Sequence, residues 1–88
     1  MTENRSRALR ENGMQAKVFE IVGRIMGVAA NEITEDSSPQ TLPKWDSLRH
    51  MKLILALEET LDIHFSDSDI GMITDVRSIL ERTAVRVR

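Results

Sequence analysis

Eighty-eight residues, 41% of them hydrophobic and none of them cysteine, suffice for one domain with a single modest core and exclude disulfide staples, thiolate metal sites and a cysteine nucleophile. No apolar run is long enough to span a membrane, and the polar start Met1-Thr2-Glu3-Asn4-Arg5 is unlike a secretory signal, so a cytoplasmic protein without membrane contact is expected. The formal charge of −2 hides an acidic centre, with twelve acidic against six basic residues between Asn12 and Glu81, which argues against nucleic-acid binding because that needs a basic face.

Residues 1–12 are charged, with Ala8 and Leu9 their only apolar side chains after Met1. They read as a flexible polar segment ahead of a domain over 13–88. Met14, Val18, Ile21, Val22, Ile25 and Val28 recur on one helical face and predict an amphipathic helix ending near Val28. Gly27 is its stop signal, and Gly23, unfavourable inside a helix, marks a close crossing with another helix. Between Ala29 and Trp45, the residues Asn31, Asp36, Ser37, Ser38, Pro39 and Pro43 predict a long loop, which Ile33 and Leu42 anchor to the core.

A second helix opens at Asp46 or Ser47 and runs through Leu48, Met51, Leu53, Ile54, Leu55, Ala56 and Leu57 to Leu61. Apolar on most sides, it reads as a helix buried among others. Glu58, Glu59 and Asp62 lie at its C-terminal end, where the helix dipole disfavours acids, so they point to a purpose other than local stability. Ile63 and Phe65 bridge to a short helix capped from Ser66-Asp67-Ser68-Asp69, carrying Ile70 and stopped by Gly71. Thr74-Asp75 then starts a last helix with Val76, Ile79, Leu80 and Thr83 inward and Arg82 and Arg86 at its C-terminal end. The expected fold is all-α: a small antiparallel bundle of three main helices plus one short helix, with a long loop between the first and second main helices.

The residue pattern offers few sites for chemistry. Asp46-Ser47 is either an ordinary helix cap or an exposed hydroxyl whose phosphate ester would lie by free N–H groups and the positive end of a dipole. Ser47 and His50 stand three apart, a spacing compatible with a nucleophile and its base, but no sequence for an oxyanion hole accompanies them, and His50 reads as a surface residue near the site. Asp67-Ser68-Asp69-Ile70-Gly71 fails as a calcium loop, since its glycine is at the fifth place and Ser78 at the twelfth. Met14, Met51 and Met72 read as fillers of core gaps. Trp45 packs its ring on the bundle and, two residues from Ser47, is placed to line whatever is attached there.

Taken together, Gly27-Val28, Ile33, the loop, Asp46-Ser47-Leu48, Ala56-Leu57-Glu58-Glu59, Ile63 with Phe65, and Ile73-Thr74 with Val76 resemble the acyl carrier protein family from Met14 to about Val85. The resemblance implies a carrier rather than an enzyme. Ser47 would receive 4′-phosphopantetheine from coenzyme A through a separate magnesium-dependent carrier protein synthase (phosphopantetheinyl transferase), with Asp46 part of the recognised motif. The arm would hold acyl or aminoacyl groups as thioesters for loading and processing enzymes of a lipid, polyketide or related pathway. Trp45, Leu48, Arg49, Met51, Lys52, Glu58 and Glu59 are the expected docking or arm-contact residues, on a monomer. Pro43-Lys44-Trp45 before the serine and Arg49, His50 and Lys52 after it depart from the pattern of fatty-acid carriers and imply a specialised member. An unmodified carrier-like interaction module is the alternative, and a small serine hydrolase a more distant one.

Overall fold

The computed structural model describes the backbone of residues 2–86 and the side chains of residues 13–84. The chain forms α1 (Thr2–Met26), a 3-10 turn (Ala30–Glu32), α2 (Ser47–Leu61), α3 (Asp67–Met72) and α4 (Val76–Arg86), with no strand among the described residues. This is the expected all-α architecture of three main helices and a short one. α1 begins earlier than the apolar period indicates, because its backbone is helical from Thr2 and residues 2–12 contain no proline or glycine to break it. The side chains of 1–12, on which the expectation of flexibility rested, lie outside the described residues.

The core is built from the inward positions of each helix. Val18, Ile21, Val22 and Met26 of α1 meet Leu53, Ile54 and Leu57 of α2 and Val76 and Ile79 of α4, while the connections contribute Ile33, Trp45, Phe65 and Ile73. Each such side chain contributes roughly 1.5–3 kcal/mol of transfer free energy. Ile33 is buried and Leu42 is half-buried against this cluster, as the loop anchors should be.

α1 ends in a Schellman motif. Gly27 adopts φ 75°, and Val28 N–H donates to Gly23 O at 2.9 Å, so the chain turns back on its own last turn. The close approach expected at Gly23 is therefore made by this reversed backbone and not by a second helix: a Cβ at Gly23 would lie 2.7 Å from Val28 O and 3.4 Å from Ala30 Cα.

The loop from α1 to α2 is ordered by its own hydroxyls. Ser37 Oγ accepts from Thr34 N–H at 2.9 Å, and Thr41 Oγ1 accepts from Ser38 N–H at 2.9 Å, local side-chain bonds that take up loop backbone donors. Its carbonyls also reach α4: Val76 N–H donates to Ser37 O and Arg77 N–H to Glu35 O, both at 2.9 Å. The loop thus satisfies N-terminal donors of α4 that would otherwise lack partners. Arg77 adds an ion pair to Asp36 at 3.1 Å.

α3 is closed by a full capping box between Ser66 and Asp69, and the buried Asp69 carboxylate also meets Arg82 of α4 at 3.3 Å. Gly71 does not stop this helix. It lies inside α3, which continues to Met72 before Ile73 turns to an extended conformation. Two burial expectations are also corrected. α2 is not enclosed, since Leu48 is 65%, Leu55 56% and Met51 46% exposed, and Met51 and Met72 (54%) are surface residues and not core fillers. α2 buries Leu53, Ile54 and Leu57 in the core and packs Ala56 and Leu61 against it, while Leu48, Met51 and Leu55 of this many-sided apolar helix are left outward.

Candidate functional site

Ser47 is the first residue of α2, and the geometry divides the labour between it and its neighbour. Asp46 is the N-cap: its Oδ1 accepts from Arg49 N–H at 2.9 Å, and its carbonyl accepts from His50 N–H at 2.8 Å. Capping is thus done by Asp46. The exposed Ser47 hydroxyl has no hydrogen-bond partner among the described residues, and neither do the N–H groups of Ser47 and Leu48 at the positive end of the helix.

Two cations beside the serine are turned toward α1. Arg49 Nη1 donates to Ile25 O at 2.8 Å, and the ammonium of Lys44 lies over Gly27, 3.4 Å from where a Cβ would stand. Both sit at the negative end of the α1 dipole, where positive charge is favoured. Arg49 therefore pins the start of α2 to the end of α1. The basic cluster read around Ser47 is accordingly dispersed, with Lys52 left exposed on α2.

Trp45 is buried at 3% exposure, and its Nε1–H donates to His50 Nδ1 at 3.0 Å. The two rings are stacked at an interplanar angle of 22° with centroids 6.3 Å apart. His50 Nε2 lies 3.4 Å from Ile70 O in α3. Since Nδ1 accepts, the neutral ring carries its proton on Nε2, which faces that carbonyl. His50 is thus a bridge from the loop end to α3, which corrects its reading as a surface residue. Its one lone pair is occupied, so the pairing of Ser47 with a histidine base is not made and the hydrolase reading has no base.

Pro39, Trp45, Asp46, Ser47, His50 and Met51 line an open groove of about 410 Å³. The structure so brings Ser47, Trp45 and Met51 together as the sequence expected, and adds Pro39. Leu48 and Leu55 extend an exposed apolar stripe along α2, and Glu59 is exposed near its end. Glu58 has a different place: its Oε2 accepts from Phe65 N–H at 2.9 Å and meets His64 Nδ1 at 3.3 Å, so it closes the turn after α2, where Asp62 is left-handed at φ 54°. The purpose sought for an acid at this helix end is thus structural for Glu58. No group of histidine and acidic residues able to hold a metal ion occurs among the described residues.

Sequence reasoning missed the Arg49 contact with Ile25 and the bridge at His50. The signal for the first was a cation three residues into α2 together with a glycine-terminated α1, whose carbonyls need donors. For the second there was only the coexistence of an indole donor and an imidazole five residues apart, which requires the loop geometry to become a contact.

No protein-family model matches the chain. Curated relatives do: the chain is 32% identical over 71 residues to an acyl carrier protein of Syntrophobacter fumaroxidans, covering 81% of this chain and 88% of the relative. It is 29% identical over 70 residues to an acyl carrier protein of Buchnera aphidicola, covering 80% and 89%. Among solved structures, the holo acyl carrier protein of Geobacter metallireducens superposes with a TM-score of 0.74 at 22% identity over 83% of this chain and 84% of that one. The apo doublet acyl carrier protein from prodigiosin biosynthesis superposes with a TM-score of 0.72 at 14% identity over 86% of this chain and 37% of that one. The two structures speak for the helical fold, and the first relative, matched over most of both chains, settles the kinship: this chain belongs to the acyl carrier protein family.

Proposed function

We propose that Ser47 is the attachment point of 4′-phosphopantetheine, donated by coenzyme A in a reaction catalysed by a separate magnesium-dependent carrier protein synthase. The observation that carries this reading is the free, exposed Ser47 hydroxyl at the mouth of α2, released from capping by Asp46. The site fits a phosphodiester there. The unpartnered N–H groups of Ser47 and Leu48 face the position of its negative charge, an arrangement that contributes about 0.3–1 kcal/mol at an exposed helix end. When attached, the arm supplies the thiol that this cysteine-free chain lacks, and acyl or aminoacyl groups are held on it as thioesters.

The exposed stripe of Leu48, Met51 and Leu55 on α2, with Lys52 and Glu59, is the surface offered to the synthase and to acyl-processing enzymes. Contacts of this size suit brief visits, and the acidic centre steers partners with basic docking patches, an attraction that weakens with added salt. Pro43, Lys44 and Trp45 before the serine, with His50 and Lys52 after it, support service in a specialised lipid, polyketide or related pathway in preference to housekeeping fatty acid synthesis. Efficient replacement of the housekeeping carrier in a reconstituted fatty acid synthase would count against that specialisation.

The attachment is tested by incubating the unmodified protein with coenzyme A, magnesium and a broad-specificity carrier protein synthase and reading the intact mass. Wild type gains one phosphopantetheine group and Ser47→Ala gains none. Absence of the gain in wild type, or an equal gain in the variant, sinks the proposal.

A further inference from the structure

The groove beside Ser47 owes its wall to two hydrogen bonds that meet on one imidazole. Trp45 Nε1–H donates to His50 Nδ1 at 3.0 Å, and His50 Nε2 faces Ile70 O at 3.4 Å. Trp45 closes the loop, Ile70 belongs to α3, and His50 stands on α2 within one helical turn of Ser47. Three separate segments are therefore held in register by a ring that must be neutral and in a single tautomer.

We propose that His50 is a positioning residue for the Ser47 groove and that its protonation releases Trp45, making the groove sensitive to pH. A proton taken from solvent would use the Nδ1 lone pair that now accepts from the indole. The resulting imidazolium has two donors and no acceptor, so the Trp45 N–H would face another N–H and lose its partner. A buried indole N–H left unpaired carries the desolvation penalty of a lost hydrogen bond, which favours movement of the ring out of its seat. On the loop side Lys44 lies over Gly27 and Asp46 Oδ1 is taken by Arg49 N–H. On its own helix the Arg49 guanidinium is held by Ile25 O. In α3 the exposed Asp67 makes no ion pair with His50 and Asp69 is engaged by Ser66 N–H and Arg82. The ion pairs that Glu35, Asp36, Glu58 and Asp69 form with Arg77, His64 and Arg82 do not include His50.

The bridge is a claim about the unmodified protein, and only its effect on loading rests on Ser47 being the acceptor. The chain has one tryptophan, so its emission and its indole N–H resonance report this site alone. Both are followed while pH is lowered through the histidine range, roughly pH 8 to 5, in wild type, His50→Gln and His64→Gln, the last removing the only other histidine. Wild type and His64→Gln should show one transition in which emission shifts to the red and the indole N–H exchanges faster. His50→Gln, which cannot titrate, should show none. A transition that survives in His50→Gln, or is missing in wild type, overturns the proposal.

Nitrogen chemical shifts of His50 in wild type give a measurement that does not depend on the variant folding. They should report the Nε2–H tautomer at neutral pH, and the Nδ1–H form would overturn the bridge. For loading by one synthase, the rate of wild type relative to His50→Gln should fall severalfold across the transition, a ratio in which the synthase's own pH dependence cancels. A constant ratio would overturn the positioning role. Failure of both proteins to load would overturn the phosphopantetheine reading and leave the indole titration to decide the bridge.

Discussion

Replacing Gly23 by alanine sets two known effects against each other, and the structure decides which wins. By helix propensity the change should stabilise α1 by roughly 0.8–1 kcal/mol, since glycine is that much poorer than alanine inside a helix. The added Cβ, however, would stand 2.7 Å from Val28 O and 3.4 Å from Ala30 Cα. Those are backbone atoms of the reversed chain, and they cannot rotate away as a side-chain tip could. Relief requires the Schellman turn to open, which gives up the Val28 N–H bond to Gly23 O, worth about 1 kcal/mol, or requires strain of the kind that costs about 1–3 kcal/mol in tightly packed sites.

The net expectation for Gly23→Ala is a loss of about 1–3 kcal/mol, equivalent to a fall in melting temperature of ~4–8 °C per kcal/mol for a domain of this size. Gly13→Ala in the same helix is the internal control, because nothing lies within 4 Å of its Cβ position, and it should gain up to about 1 kcal/mol. Urea unfolding followed by circular dichroism measures both, provided the slope of the transition is common to the three proteins. If Gly23→Ala matched or exceeded wild type while Gly13→Ala behaved as stated, the close approach of the chain after α1 would be refuted.

Substitutions at three further positions probe the attachments at the two ends of α2. Arg49→Ala removes a charged donor from Ile25 O and should cost about 1.5–3 kcal/mol, with Arg49→Lys recovering only part of it; equal stability of Arg49→Ala and wild type in urea would exclude the pin between α1 and α2. Glu58→Ala deletes the acceptor of Phe65 N–H and should cost about 1–3 kcal/mol, whereas Glu58→Gln keeps an oxygen and should recover most of that in the same unfolding assay. Asp46→Ala should lower stability by about 1 kcal/mol through loss of the cap, and Asp46→Asn by only a few tenths; a thermal melt that ranks the two the other way would mean that the cap is not what Asp46 contributes to the fold.

The helices were legible because their information is local. The apolar period from Met14 and the Thr74-Asp75 start each follow from spacing within one segment, and so does Asp46-Ser47 as a helix mouth. What spacing could not resolve is which of two adjacent oxygen side chains caps α2, since aspartate and serine are nearly equal at that task; the bond from Arg49 N–H to Asp46 settles it and leaves Ser47 free. Burial on α2 was misjudged for a similar reason. A run such as Leu53-Ile54-Leu55-Ala56-Leu57 is apolar all round, and only the positions of α1 and α4 determine that Leu55 faces out. Arg49, His50 and Glu58 were read as surface residues because each has a backbone partner, Ile25 O, Ile70 O and Phe65 N–H, which carries no signature in the identity of a residue, and because the side-chain partner of His50, the Trp45 indole, comes within reach only through the loop geometry.

The bonds from Val76 and Arg77 to the carbonyls of Ser37 and Glu35 have a consequence for how the molecule opens. α4 cannot complete its first turn from its own residues, so its start and the middle of the loop form or dissolve as one cooperative unit. Amide exchange at Val76 and Arg77 is therefore a gauge of loop docking and not of helix fraying. A carrier whose loop were prised away by a visiting enzyme would announce it at these two amides, on the segment of chain most distant in sequence from α1.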